Sequence, residues 1–246
     1  MSIFKCPGSD LIKNPRAEEI VCPGCGESVE IWSDEAEAAC PGCGTLVFRE
    51  MPSACWEWCG SARECVGPDR YDRLIRGRKR KESEGLKDKM IVAMQDYFGD
   101  DGEKIRHAQS VLLYAEEILK TEPGDRRVVV SAAVLHDIGI PNAIRRHGSS
   151  GHRFQEEEGP PVARKIMEEL GIDGIIIDKV SDIIGHHHSP GFGESDDFKI
   201  VYDADQIVNL AERDGAEVEK LYNNLLTEGG RAIINRLFLE KGRHAK

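Results

Sequence analysis

Ala132-Ala133-Val134-Leu135-His136-Asp137-Ile138-Gly139 is the stretch on which the reading of this chain turns. It closes a segment, Val128 to Ile138, that is apolar almost all round, the pattern of a helix buried in the middle of a bundle, and Gly139 followed by Pro141 predicts its end. An imidazole and a carboxylate set side by side in such surroundings cost free energy unless something inside binds them. Neighbouring residues on a helix point about 100° apart, so both reach one ion only near a helix end, where other helices converge. A divalent metal is the simplest such partner.

Two further positions answer that pair. Ile105, Ala108, Val111, Leu112, Ala115, Ile118 and Leu119 recur at three- and four-residue steps, which predicts an amphipathic helix over Glu103 to Lys120 with His107 at the edge of its apolar stripe. Downstream, Phe198 to Leu210 carries Asp203 and Asp205. Val201 and Val208 share the face of Asp205 and point it inward, and periodicity leaves Asp203 as its competitor. Another helix, begun near Gly174, ends in Ile183-Ile184-Gly185-His186-His187-His188.

All eight cysteines fall at or before Cys65, which marks a separate module. Cys22-Pro-Gly-Cys25-Gly and Cys40-Pro-Gly-Cys43-Gly repeat a CxxC at the separation of a zinc ribbon, two tight knuckles joined by a hairpin. Between them Ser28-Val29-Glu30-Ile31-Trp32 alternates as a half-covered strand does. Cys6, Cys55, Cys59 and Cys65 number the four thiolates of a second closed site, for zinc or an iron–sulfur cluster; the plainer alternative is unligated, partly buried thiols. A module this small has little apolar area and needs a staple. The expected organisation is a cysteine-rich module over 1–68, a basic linker over 69–85 and a helical domain over 86–246.

Hydrophobic residues make up 40% of the 246, enough for one substantial core and an appendage. No apolar run approaches the roughly 20 residues that span a bilayer, and Met-Ser-Ile-Phe-Lys-Cys lacks a secretory apolar stretch, so the expectation is a cytoplasmic protein with no membrane partner. A net charge of −11 disfavours non-specific nucleic-acid binding by the chain as a whole. The exception is local: Arg70, Arg73, Arg76, Arg78, Lys79, Arg80 and Lys81 crowd into the linker, as a solvated face or as a contact for phosphates of a nucleic acid.

His107, His136-Asp137 and Asp205, with Ala132 to Gly139 and Ala204-Asp205-Gln206-Ile207 around them, resemble the HD superfamily of metal-dependent phosphohydrolases over about residues 86 to 215. The resemblance implies an all-α bundle whose four matching positions ligate a divalent transition metal, Mn, Fe, Co, Ni or Zn, with His136 and Asp137 at the catalytic centre. Members holding two metals carry more histidines in this order: His186 and His187 match best, and His147 and His152 are the candidates for one more between them and the His136-Asp137 pair, although Gln155-Glu156-Glu157-Glu158-Gly159 stands where such members usually place it. The cyclic-dinucleotide phosphodiesterase branch is disfavoured by Gly139-Ile140-Pro141 and Pro190-Gly191-Phe192-Gly193. The cysteine-rich part resembles leaders on some bacterial members.

The implied activity is hydrolysis of a phosphate ester, nucleotide-like or another small phosphorylated molecule, by a metal-activated water. Arg145 and Arg146, just past the buried helix, are candidates to neutralise the phosphate. Two other classes stand beside it: a di-iron oxygenase built on the same centre, and a regulatory module in which ribbon and basic linker engage nucleic acid or protein.

Overall fold

The computed structural model describes residues 12, 14–50, 56, 59–191, 194–212 and 218–239, and the chain divides into two compact units, Met1–Gly85 and Leu86–Lys246. In the first unit, β1 (Ala17–Val21) pairs antiparallel with β2 (Ser28–Trp32), and β3 (Glu37–Ala39) pairs antiparallel with β4 (Leu46–Phe48). The alternation in β2 is the expected one: Val29 and Ile31 are buried, Ser28, Glu30 and Trp32 exposed. Each knuckle turns through a glycine at positive φ, Gly26 at 79° and Gly44 at 75°, a region that side chains resist. Cys22, Cys40, Val29, Ile31 and Val47 form the small core between the hairpins.

Residues 69–85 are not a bare linker. They lie in α2 (Pro68–Phe98), which follows a short α1 (Ala62–Val66). Four of the bases there pair with acids inside the first unit: Arg70 with Asp34 at 3.3 Å, Arg80 with Glu37 at 3.2 Å, Lys81 with Glu50 at 2.8 Å and Arg78 with Glu82 at 2.8 Å. Leu74 packs in a second cluster with Ile12, Trp56, Ala62 and Val66. The run is amphipathic because its apolar stripe and its acid partners together give each face something to bind.

The second unit is the all-α bundle that the sequence implies. Leu86, Met90, Met94 and Phe98 line one face of α2 at four-residue steps and enter the core. After it come α3 (Gly102–Ile118), α4 (Arg126–Leu135), α5 (Ile140–His147), α6 (His152–Glu169), α7 (Gly174–Ile184), α8 (Asp196–Glu212), α9 (Val218–Asn224), α10 (Glu228–Ile234) and a π-helical turn, Asn235–Leu239. Asp101, Asp125, Asp173 and Thr227 cap α3, α4, α7 and α10 through their side chains. Every residue of α4 from Val128 to Leu135 is buried, and α3, α7 and α8 pack around it. Each fully buried Val or Leu there contributes roughly 1.5–3 kcal/mol. Among the described residues no single helix is long and apolar enough to cross a membrane.

Two glycines fix the geometry where α4, α6 and α7 meet. A β-carbon on Gly139 would lie 2.5 Å from the Gln155 carbonyl oxygen and 2.6 Å from the Gly159 nitrogen. One on Gly159 would lie 2.6 Å from Ile184 Cγ2. Bare backbone at both positions brings the turn after α4, the start of α6 and the end of α7 together. That is where the histidines and aspartates gather.

Candidate metal centre

α4 ends at Leu135, a turn short of the predicted Ile138. His136 is its C-cap, and Asp137 to Gly139 turn into α5, held by Ile138 N–H to Leu135 O at 3.0 Å and Ile140 N–H to Asp137 O at 3.0 Å. α3 delivers His107 and α8 delivers Asp205 to the same point. His107 Nε2 lies 3.1 Å from Asp205 Oδ1 and 3.3 Å from His136 Nε2. Asp137 Oδ2 lies 3.6 Å from His136 Nε2 and 3.8 Å from His107 Nε2. The four residues are thus brought together, and each supporting bond aims a lone pair inward. His136 donates Nδ1–H to the Ala133 carbonyl at 2.9 Å, which leaves Nε2 as the acceptor, and Asn209 Nδ2 donates to the outer oxygen of Asp205 at 2.9 Å.

The electrostatics are those of opposed charges packed in a dry place. Burial acts to lower the pKa of His136, but the Asp137 and Asp205 carboxylates overcome it and raise it to about 9. Burial likewise acts to raise Asp137, but His136 and the nearby His187 hold it down at about 2. Asp205 is depressed by His107 and His136 against the same burial, and His107 is raised, chiefly by Asp205, against its own. Two anionic carboxylates and two basic imidazoles call for a cation, which binds by displacing protons from the rings.

A second group shares Asp137. Its Oδ1 lies 3.7 Å from His187 Nε2, and both atoms are buried without a hydrogen-bond partner. His187 donates Nδ1–H to Ile184 O at 2.8 Å, so the orphaned Nε2 carries a lone pair. His188 completes the group, with Asp137, His187 and His188 each able to offer one ligand atom. The Gln155 amide fixes its ring: Gln155 Nε2 donates to Ser150 O at 2.5 Å, and Oε1 accepts from His188 Nε2 at 3.0 Å, leaving Nδ1 of His188 free to ligate. Burial, with His187 beside it, lowers His188 to about 3, so the ring is neutral. Orphaned buried donors of mixed nitrogen and oxygen type fit a divalent transition metal.

The structure parts some of the expected residues from this centre. His186 is engaged at both ring nitrogens, with the Asp182 carbonyl at 2.5 Å and Glu194 at 3.0 Å, and its ring stacks on Phe198. The inward histidines at the end of α7 are therefore His187 and His188. His152 is exposed; it lines the pocket over the centre and stacks on His188, ring centroids 3.9 Å apart. Asp203 takes a structural part: it accepts from Leu226 N–H, Thr227 N–H and the Thr227 hydroxyl at 2.8, 2.8 and 2.6 Å, anchoring the start of α10. Arg145 donates to Asn142 at 2.6 Å and Arg146 pairs with Glu158 at 3.2 Å; neither lines the pocket over the cluster.

That pocket holds about 330 Å³ and is lined by His107, Asp137, His188 and Asp205 together with Lys104, Gln155 and Asn209, among others. Lys104 and Asn209 are not singled out by the sequence, and Gln155 enters it only within the stretch that stands where a ligand histidine is usual. For Lys104 and Asn209 the signal was available: each stands one helical turn from a predicted ligand, His107 and Asp205.

In the first unit the four ribbon cysteines also converge. Cys22 and Cys43 sulfurs lie 3.6 Å apart, Cys25 and Cys40 sulfurs 3.5 Å apart. A tetrahedron with zinc–sulfur bonds of about 2.3 Å has edges of about 3.8 Å, whereas a disulfide needs about 2.0 Å. The Thr45 hydroxyl and amide lower the Cys43 thiol to about 6. At Cys25 a backbone contact at Glu27 favours the thiolate, yet Cys43 and Cys40 raise it to about 12. Four thiolates this close need a cation to ionise together. Of the second thiolate set, Cys59 is half-buried and Cys65 exposed, while Cys6 and Cys55 lie outside the described residues.

Residues 105–213 match the family model of the HD domain. No curated protein matches the chain. The chain is similar to a crystal structure described as a predicted HD superfamily hydrolase from an uncultured Thermotogales bacterium, with a TM-score of 0.50 and 24% sequence identity over 63% of this chain and 86% of that one, a likeness of fold. His107, His136, Asp137 and Asp205 all lie inside the span that matches the HD domain.

Proposed function

We propose that the helical unit is a metal-dependent phosphohydrolase that cleaves a small, nucleotide-like phosphate ester. The observation that carries this reading is the shared Asp137: one oxygen faces His107 and His136, while the other, buried and unpartnered, faces His187. His107, His136, Asp137 and Asp205 would hold the first metal; Asp137, His187 and His188 would hold a second. Bound there, a divalent transition metal supplies Lewis acidity, making hydroxide available near neutral pH and drawing electron density from a phosphoryl oxygen.

The chain's own residues do the rest. Ala133 O, Ile184 O and Gln155 Oε1 each take one ring proton, so His136, His187 and His188 keep the tautomer that presents a lone pair to the centre. Asn209 holds the carboxylate of Asp205 in plane. Asp137 keeps 14% of its side chain exposed at the pocket floor, which makes its carboxylate the group placed nearest an attacking water. His136 and Asp205, almost fully enclosed, exclude bulk water from behind the cluster.

The zinc proposed for the four ribbon cysteines is structural: both knuckles close on their own backbone and leave no open position. Arg70, Arg80 and Lys81 of α2 are paired with acids of their own unit, which leaves less of the basic run for a nucleic acid and favours a small phosphorylated substrate as the partner. The test is a screen of nucleotides and simple phosphate esters with the Mn-loaded chain. Turnover of an ester that Asp137→Ala abolishes supports the reading. Oxygen uptake by an iron-loaded chain that turns over no ester would replace it with the oxygenase.

A further inference from the structure

We infer that Lys104 is the residue that binds the phosphate group of the substrate, an inference that rests on the phosphohydrolase reading and deepens it. Lys104 is the one lysine or arginine among the described residues that line the pocket over His107, Asp137 and Asp205. It precedes His107 by three positions on α3, so the two side chains leave the same face of the helix, one turn apart. Its backbone is pinned at that turn, where Asp101 Oδ1 accepts from Lys104 N–H at 3.1 Å.

Position gives the ammonium its task. A phosphate ester set over the cluster turns non-bridging oxygens to the pocket wall, and among the described residues that wall offers them one cationic lysine or arginine side chain. Arg145 and Arg146 cannot supply it, since they are tied to Asn142 and Glu158 and stand off the pocket. Lys104 meets Glu103 only at 3.9 Å, through a carboxylate that is 84% exposed, and an ion pair so placed holds the ammonium weakly. The compact charge on a flexible stem can turn from Glu103 to a non-bridging phosphate oxygen, as lysine does where phosphoryl groups are clamped. Beyond it the lining adds the hydroxyl and amide groups of Ser150, Gln155, Gln206 and Asn209, the His152 ring and the Glu103 carboxylate, with Ile140 as the one aliphatic side chain, so the part of the substrate nearest the phosphate is polar.

The experiment measures two quantities on the full Mn-loaded chain, the Kd for orthophosphate and the KM and kcat for p-nitrophenyl phosphate, in wild type, Lys104→Gln and Lys104→Arg. Loss of a charge-assisted contact predicts an orthophosphate Kd and a KM about tenfold higher in Lys104→Gln, most of it restored in Lys104→Arg, with Mn content and melting temperature unchanged. Values of Kd and KM within twofold of wild type in Lys104→Gln overturn the assignment and leave the hydrolase reading standing. A wild type that binds orthophosphate tenfold better than Lys104→Gln yet cleaves no ester in a wider screen supports Lys104 as the phosphate ligand and overturns the hydrolase reading. A wild type with no measurable orthophosphate affinity overturns the Lys104 assignment.

Discussion

Gly139→Ala is the smallest change that tests how the centre is assembled. The added methyl would sit 2.5 Å from the Gln155 carbonyl oxygen, 2.6 Å from the Gly159 nitrogen and 2.9 Å from its α-carbon, all backbone atoms of α6 that no rotamer change can clear. Relief requires the turn after α4 and α6 to part by about an ångström, because carbon contacts settle near 3.5–4.0 Å. Overpacking of this kind costs about 1–3 kcal/mol, and for a unit of this size each kcal/mol lowers Tm by roughly 2–4 °C. A fall of about 2–12 °C is therefore expected, measured by circular dichroism. Movement of α6 also carries Gln155 away from His188, so Mn affinity falls with it. Gly174→Ala serves as the control, since a β-carbon there meets nothing within 4 Å and a helical alanine stabilises by about 0.4–1 kcal/mol. A Gly139→Ala protein with wild-type Tm and wild-type Mn affinity would refute the idea that bare backbone contact builds the site.

Asp203 and Asp205 are expected to separate cleanly. Asp203→Ala strands three donors of α10's entry and costs about 3 kcal/mol or more in urea denaturation while Mn binding persists in the folded fraction; Asp205→Ala loses Mn binding, and the reverse pattern would exchange their roles. The pH dependence of the chelated chain follows from His136, whose folded pKa of about 9 stands above its ordinary value near 6.5: its contribution is fully present below about 6.5 and is lost as pH rises through 9, so the urea midpoint falls across that window. Mn added at pH 8 reverses the fall, since it binds the neutral ring; a midpoint that does not move between pH 6.5 and 9 contradicts the charge pairing. A chain beginning at Leu86 is expected to keep its helical circular dichroism and its Mn binding, because every proposed ligand of that centre follows it; an unfolded product would show that the first unit is needed for the second to fold.

The convergence of His107, His136, Asp137 and Asp205 was legible in the sequence to the extent that burial makes polar residues conspicuous. His136-Asp137 at the end of an all-apolar helix, and Asp205 on the inner face of α8, could be read because nothing but a ligand justifies them there. Choosing among three consecutive histidines is a different problem. α7 stops at Ile184 with Gly185 as its cap, and the turn that follows, not helical periodicity, decides that His187 and His188 face inward and His186 faces Glu194. Likewise Asp203 sits on a buried face as Asp205 does, but its partners are contributed by Leu226 and Thr227, more than twenty positions away. The basic run over 69–85 read as a linker because the acids that pair with part of it, Asp34, Glu37 and Glu50, belong to the hairpins. Gly139 and Gly159 were visible as letters, yet what they permit is a contact between helices that no local pattern encodes.

The central claim, that His107, His136, Asp137 and Asp205 hold a functional metal, is tested most directly by metal content per chain in wild type and His136→Ala, with the ribbon zinc as the internal reference. The wild type is expected to carry the ribbon zinc plus at least one further transition-metal ion, and His136→Ala, still folded, to keep the first and lose the second. Equal metal content in the two proteins would contradict it.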